Sequence, residues 1–236
     1  MNGPKVLFEI PLFGGIKVTE SIVNMWIIMA ALVIVSVWLT HGMRVRNPSK
    51  KQLVAEKLIT MLYNLVKDTM GEKYMSFAPY IGTLFIFSIV GSLSSLTGLR
   101  PITADLSVIL SWSIVTFLMI QVTNIKNHGV FGWLKSFTEP VPLNLISEIA
   151  NPVSMTFRHF GNIAAGLVIT SLVYGGLASL SSVILSWIPN DFFATIPILQ
   201  VGIPAILSVY FDLFTSFLQA YIICMLTMVF VQGAGD

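Results

Sequence analysis

Polar residues are sparse along this chain, and the apolar runs between them are long enough to cross a bilayer. A crossing helix needs about 20 apolar residues, because it rises 1.5 Å per residue through a hydrocarbon core about 30 Å thick. Residues 22–40 (IVNMWIIMAALVIVSVWLT) meet that requirement and end at His41, Arg44 and Arg46. Two further spans are expected at 77–96 and 106–125, joined by the turn Gly98-Leu99-Arg100-Pro101. Longer runs at 143–187 and 192–231 close the chain on either side of Ile188-Pro189-Asn190-Asp191. A helix of about 40 residues is about 60 Å long, twice the hydrocarbon thickness. Each run is therefore a hairpin of two spans or one strongly tilted helix, and Gly175-Gly176 would serve as a turn or as a packing surface.

Residues 50–70 follow a different pattern. Leu53, Val54, Leu58, Met61, Leu62, Leu65 and Val66 recur at helical spacing opposite Lys57, Asn64, Lys67 and Asp68. That is the pattern of an amphipathic helix lying on a membrane surface. The segment 1–20 carries Lys5, Glu9, Lys17 and Glu20 without an uninterrupted apolar core, so no cleavable signal peptide is expected there.

Composition narrows the function class. The 236 residues are 55% hydrophobic and only 10% charged, against about 25% charged in a soluble domain. The chain is expected to be one integral membrane domain, with no room for a soluble catalytic one and no nucleic-acid partner. Its single cysteine, Cys224, lies in an apolar run, and His41, His128 and His159 lack metal-ligand spacing, so no metal or cofactor is expected.

The placement of the thirteen Lys and Arg residues orients the chain. Arg44, Arg46, Lys50, Lys51, Lys57, Lys67, Lys73, Lys126 and Lys135 fall on one side, which the positive-inside rule makes cytoplasmic. Lys5, Lys17 and Arg100 fall on the other. The N-terminus is thus expected outside and the C-terminus in the cytoplasm.

The remaining basic residue, Arg158, sits inside a membrane run, where an Arg near the centre costs about 2.5–3.5 kcal/mol on insertion scales. Glu148, Asn151, Ser154, Arg158 and Asn162 recur at spacings that keep one helical face. Ser208, Asp212, Thr215 or Ser216, and Gln219 form a similar row in the last run. In an antiparallel pair, Arg158 would lie level with Gln219, and Asp212 level with about Leu167, two turns nearer the outside. A fixed cation then stands between a carboxylate toward the cytoplasm, Glu148, and one toward the outside, Asp212. Carboxylates exchange protons or hold cations, whereas Arg stays charged. Such a seam blocks a continuous cation leak while stabilising an ionised carboxylate presented to it. Asp105 reads as a helix N-cap, His159 as packed beside the seam, and Cys224 as packing.

Four ordered segments resemble subunit a of the F-type ATP synthase membrane sector. Ser154-Met-Thr-Phe-Arg158-His-Phe-Gly-Asn162-Ile-Ala-Ala-Gly166 is similar to that family's S-x-x-x-R-x-x-G-N-x-x-A-G signature. Leu218-Gln219-Ala220-Tyr221-Ile222 with Met225-Leu226-Thr227 resembles its last-helix motif. The Gly98–Leu106 and Glu139–Glu148 segments fit as well. The resemblance implies an all-α membrane protein with five crossings, the last two a steeply tilted antiparallel pair. It implies no covalent chemistry, but two offset half-channels carrying protons or sodium ions to and from carboxylates on a rotating ring of c subunits. The family's essential Arg falls on Arg158, its Asn on Asn162 and its last-helix Gln on Gln219. Peripheral-stalk b subunits, the rest of the synthase, the lipid bilayer and a bacterial plasma membrane are implied with it.

The chain departs from the family at Leu167, where many members have Glu, and at Asp212, where several have His. A swap of the polar group between facing helices would give Asp212 the outer role, with Asp105 at the mouth. Ser94 and Ser95 stand where an Asn is common. A self-contained secondary transporter or channel could also use an intramembrane Arg and Asp, but no internal repeat of the kind such proteins show is visible. A membrane scaffold would leave both polar rows without purpose.

Overall fold

The first apolar run folds as α1 (Glu20–Thr40), a helix apolar on every side rather than along one stripe, as expected of a segment meant for lipid on most sides. The structure is a computed structural model that describes residues 5–11, 16–45, 48–97, 101–138, 143–185 and 209–235. The side chains of residues 10, 16, 135–138, 143–149, 167, 185, 211 and 212 are excepted.

Ahead of α1 the chain forms an element that the apolar runs do not announce. Strands β1 (Val6–Ile10) and β2 (Ile16–Thr19) pair antiparallel, with Phe8 opposite Val18 and Glu9 opposite Lys17. The cross-strand Glu9 and Lys17 charges lie 3.9 Å apart on an exposed face. Thus two of the four charges that interrupt hydrophobicity in this segment, Glu9 and Lys17, pair across the strands.

Helix α2 (Lys50–Met70) starts at Ser49, whose hydroxyl accepts from the Gln52 amide at 3.4 Å, and ends at Gly71 with φ 81°. The Lys51 ammonium donates to the His41 carbonyl at 3.1 Å, and a cation beside the carbonyls that end a helix ties α2 to α1. Leu53, Val54, Leu58 and Met61 are exposed, whereas Val66 and Met70 are buried.

A 3₁₀ turn (Glu72–Phe77) leads into α3 (Ala78–Leu93), and a second (Ser94–Thr97) ends the span. Helix α4 (Leu106–Thr138) runs past the expected limit of 125, but Gly129 (φ 71°, ψ 169°) breaks it. The Trp133 indole N–H donates to Gln121 Oε1 at 2.7 Å. A straight helix would hold residues twelve apart at about 18 Å, so the break at Gly129 folds the following turns back on α4. Residues 126–138, polar for a membrane run, therefore continue the helix on both sides of the break, because one glycine supplies the reversal.

Helix α5 (Leu143–Leu185) is a single element with Pro152 inside it, so the first long run is not a hairpin. Nothing lies within 4 Å of where side chains on Gly175 and Gly176 would begin, so they make neither turn nor tight packing among the described residues. A π-helical turn (Val209–Phe214) enters α6 (Thr215–Gly233). Residues 192–208 of the last expected span lie outside the described residues.

Among the described residues, five helical segments are long and apolar enough to cross a membrane: Glu20–Thr40, Glu72–Thr97, Leu106–Leu134, Ala150–Ile184 and Thr215–Gly233. The buried core joins Ile81 and Leu84 of α3 to Ile223, Cys224 and Met228 of α6, with Val66, Met70 and Tyr74 below and Met155 of α5 beside them. Cys224 is fully buried and unpaired, its thiol 3.7 Å from the Ile81 carbonyl oxygen.

Candidate functional site

Helix α5 divides into two faces around Arg158. Met155, Thr156 and His159 are buried. The Thr156 hydroxyl donates to Ser113 Oγ of α4 at 2.8 Å, and the His159 ring meets Trp112 edge-on with centroids 6.2 Å apart. Both ring nitrogens of His159 are buried without a hydrogen-bond partner among the described residues, so this side chain fills space beside the polar row. Ser154, Arg158 and Asn162, one turn apart, are all exposed. Among the described residues no hydrogen bond or ion pair engages the Arg158 guanidinium.

The row continues beyond what the sequence reading selected. Ser154, Arg158, Asn162, Gly166, Thr170 and Tyr174 are each four residues apart. A spacing of four overshoots one helical turn by about 40°, so such a row winds round the helix. The winding carries it from the exposed Arg158 into a cavity of about 350 Å³, where Asn162, Gly166, Thr170 and Tyr174 form one wall. Opposite them stand Ser92 and Ser95 of the second span, Thr103, and Ser216 of α6. Eight of the eleven lining residues carry a hydroxyl or amide group set among apolar carbon surface, and the volume has room for several waters held by polar partners. Asn162, at its inner end, is about 6 Å along the helix from Arg158.

The walls are themselves fixed by hydrogen bonds. Ser92 Oγ and Thr103 Oγ1 lie 3.0 Å apart, both buried. Ser94 donates to the Gly91 carbonyl at 2.7 Å and Ser95 to that of Ser92 at 3.1 Å. Ser94 and Ser95 thus tighten the end of this span. A side chain on Gly91 would begin 2.5 Å from Ile102 Cδ1, so the absence of one lets the 102–104 turn close against α3.

The other sequence-selected residues are distributed unevenly. Gln219 is 3% exposed and turned inward, in a row with Ser216, Ile223 and Thr227. Thr227 Oγ1 lies 3.4 Å from Thr116 Oγ1 of α4. No hydrogen bond joins Gln219 to Arg158 among the described residues, although equal depth led us to expect that reach. The polar row of α6 faces the bundle interior, while Arg158 faces out. Asp105 Oδ1 accepts from the Ser107 amide at 3.1 Å, capping α4, and Asp105 does not line the cavity. Glu148 lies in the first turns of α5 and Asp212 in the π-helical turn before α6, but their side chains are outside the described residues.

The row at four-residue spacing was the available signal for Thr170 and Tyr174. Thr103 lay in the Gly98–Leu106 segment of the resemblance, but its contact with Ser92 depends on a turn between spans.

Comparison with known proteins gives a consistent picture. Residues 22–232 match the family model for the ATP synthase A chain. The sodium-ion-specific ATP synthase subunit a of Propionigenium modestum is 30% identical, the alignment covering 100% of this chain and 86% of that protein. The ATP synthase subunit a of Legionella pneumophila strain Philadelphia 1 is 31% identical over 93% of this chain and 88% of its own. ATP synthase subunit a 2 of Bradyrhizobium sp. BTAi1 is 30% identical over 97% and 93%.

Proposed function

The chain belongs to the ATP synthase A chain family, and on that premise we propose that it forms the stationary wall of a rotary ion path. It is an ion-translocating, non-catalytic membrane subunit of an F-type ATP synthase, and its partners are the rest of that complex. Its bacterial relatives imply the plasma membrane as its location. Family membership displaces the reading of a self-contained transporter.

In this proposal a ring of c subunits packs on the exposed face of α5, and b subunits of the peripheral stalk hold the other side. The two-sided character of α5 supports the first contact: Met155, Thr156 and His159 pack against the chain's own helices, whereas Ser154, Phe157, Arg158 and Gly161 are exposed and leave a face for a neighbour. The N-terminal hairpin lies outside the cell and the C-terminus in the cytoplasm, as the distribution of Lys and Arg argues. Helix α2 lies along the cytoplasmic surface with Leu53, Val54, Leu58 and Met61 in lipid.

During synthesis a proton or sodium ion enters from outside past Asp105 and Asp212 and crosses the hydroxyl-lined cavity to Asn162. It then loads a ring carboxylate. Only Asp105 Oδ1 is engaged by the helix end among the described residues, which leaves Oδ2 for an approaching ion. After nearly a full rotation the ion leaves toward Glu148 and the cytoplasm. Ser154 lines the way out, and Gln219 steadies the helix pair at the depth of Arg158.

The Arg158 guanidinium acts on each carboxylate that passes. A unit charge pair at 4 Å is worth about 4 kcal/mol at an effective dielectric constant of 20, which favours the ionised over the loaded form. The same fixed charge repels a cation that would run straight from one half-path to the other.

The observation that carries this reading is a cavity lined by hydroxyl- and amide-bearing residues that ends one turn from an exposed Arg within the α5 span. The test is Arg158→Ala in membranes energised for ATP synthesis. Coupled synthesis is expected to cease, and sustained synthesis would refute the role.

A further inference from the structure

A second cavity, of about 440 Å³, lies at the other end of α3, between the start of its span and the later turns of α4. Two ammonium groups, Lys73 and Lys126, stand at its rim with the Asn127 amide. Neither lysine forms an ion pair among the described residues. Lys67, by contrast, is already met by Glu72 at 2.7 Å. Lys73 donates to the Gly235 carbonyl at 3.2 Å and lies 5.1 Å over the Tyr74 ring, contacts that place the ammonium without neutralising it. Lys126 is exposed, with no hydrogen bond among the described residues.

Beyond this basic rim the wall is apolar. Val115, Leu118 and Val122 of α4 line the cavity, and each is between two-fifths and three-fifths exposed. Their spacing keeps one helical face. From Lys126 to Val115 the helix advances about 16 Å, close to half of a hydrocarbon core about 30 Å thick. The groove thus has a basic rim at the level of headgroups and an apolar wall one leaflet deep.

We propose that this cavity holds one anionic phospholipid, its phosphate between Lys73 and Lys126 and an acyl chain along Val115, Leu118 and Val122. Two lysines with no acidic partner among the described residues select a negative headgroup. The leaflet-deep wall distinguishes a lipid from a free phosphate ion, which would gain nothing from it. The inference rests on α3 and α4 crossing the membrane and is independent of the ion path at Arg158.

The test is native mass spectrometry of the complete ATP synthase, exchanged into nanodiscs of phosphatidylglycerol mixed with phosphatidylcholine. A basic residue near a membrane surface contributes enough that losing one lysine should weaken retention of phosphatidylglycerol on the order of fivefold, and losing both roughly 30-fold. Lys73→Gln with Lys126→Gln is expected to release one phosphatidylglycerol per subunit, whereas Lys57→Gln on α2 releases none. Lys126→Arg, which keeps the charge, retains it. Inorganic phosphate should fail to displace the lipid; displacement would make the site one for free anions and overturn the proposal. Equal retention of phosphatidylcholine would show a groove without headgroup selection and overturn it too. Unchanged retention in the double variant, with a lower melting temperature, would assign the lysines to the fold instead.

Discussion

Replacing Arg158 with Leu is expected to stabilise the subunit in the membrane while inactivating the complex, and the opposite signs are the informative part. Arg158 is exposed on α5, eight residues into the Ala150–Ile184 span, or about 12 Å along its axis. At the centre of a span Arg costs about 2.5–3.5 kcal/mol, whereas Leu contributes about −0.3 to −0.6 kcal/mol. Arg158 lies off-centre and its long stem reaches toward the interface, so the gain from the exchange should be nearer about 2–3 kcal/mol. That corresponds to roughly 30- to 150-fold in an insertion equilibrium. Insertion of the 143–185 segment, scored by glycosylation sites on either side, measures the first quantity. Unfolding of the purified subunit in detergent checks it independently, and ATP-driven ion pumping by inverted vesicles reads function. A less stable Arg158→Leu subunit would mean that the guanidinium ties helices together within the chain. Pumping that survives the exchange would remove Arg158 from the ion path.

Asp212→Asn is expected to slow ATP-driven pumping and ATP synthesis about 10²-fold or more, the scale on which a positioned proton-transferring group acts; wild-type rates would sink its assignment to the outer half-path. Asp105→Asn keeps an N-cap and removes a charge, so it should slow synthesis at low external ion concentration without changing the melting temperature. Asp105→Ala should in addition cost about 1 kcal/mol of stability, and unchanged rates in both variants would confine Asp105 to capping α4. Gly91→Val should destabilise by about 1–3 kcal/mol through overpacking against the fully buried Ile102. An unaltered melting temperature would show that the 102–104 turn yields freely.

Much of this fold can be read from one variable, the length of uninterrupted apolar sequence. Spans α1, α3 and α4 begin close to where their runs begin, because in a bilayer the backbone must satisfy its own hydrogen bonds and a helix is the simple way to do so. The pattern does not say whether a 43-residue run bends. Helical Gly175-Gly176 and α5 as one element required either a family resemblance or a structure. The N-terminal hairpin was legible in principle. Val6, Phe8 and Ile10 alternate before Pro11 and Gly14-Gly15, followed by Ile16 and Val18, which is a strand, turn and strand pattern. Its strands are too short to stand out against apolar runs of about 20 residues. The fold-back after Gly129 was hidden for another reason: nothing local shows that a glycine will adopt positive φ while helix continues on both sides.

The candidate site was legible as a row but not as a surface. Spacing alone put Ser154, Arg158 and Asn162 on one face, and their exposure agrees with that placement. What spacing did not convey was the winding of a four-residue row, which carries it from Arg158 to the cavity-lining Thr170 and Tyr174 while keeping them continuous. Nor did depth matching reveal which way each row points. Gln219 is level with Arg158 by antiparallel reckoning, yet it belongs to the face of α6 that packs inward, a matter of rotation about the helix axis rather than of depth.

The most direct measurement is an image of the assembled membrane complex at side-chain detail, showing which face of α5 meets the c ring. The account predicts that Ser154, Arg158 and Asn162 line that contact, with the guanidinium opposite a ring carboxylate and the hydroxyl-lined cavity opening beside it. Arg158 directed into lipid, with the ring packed elsewhere, would contradict it.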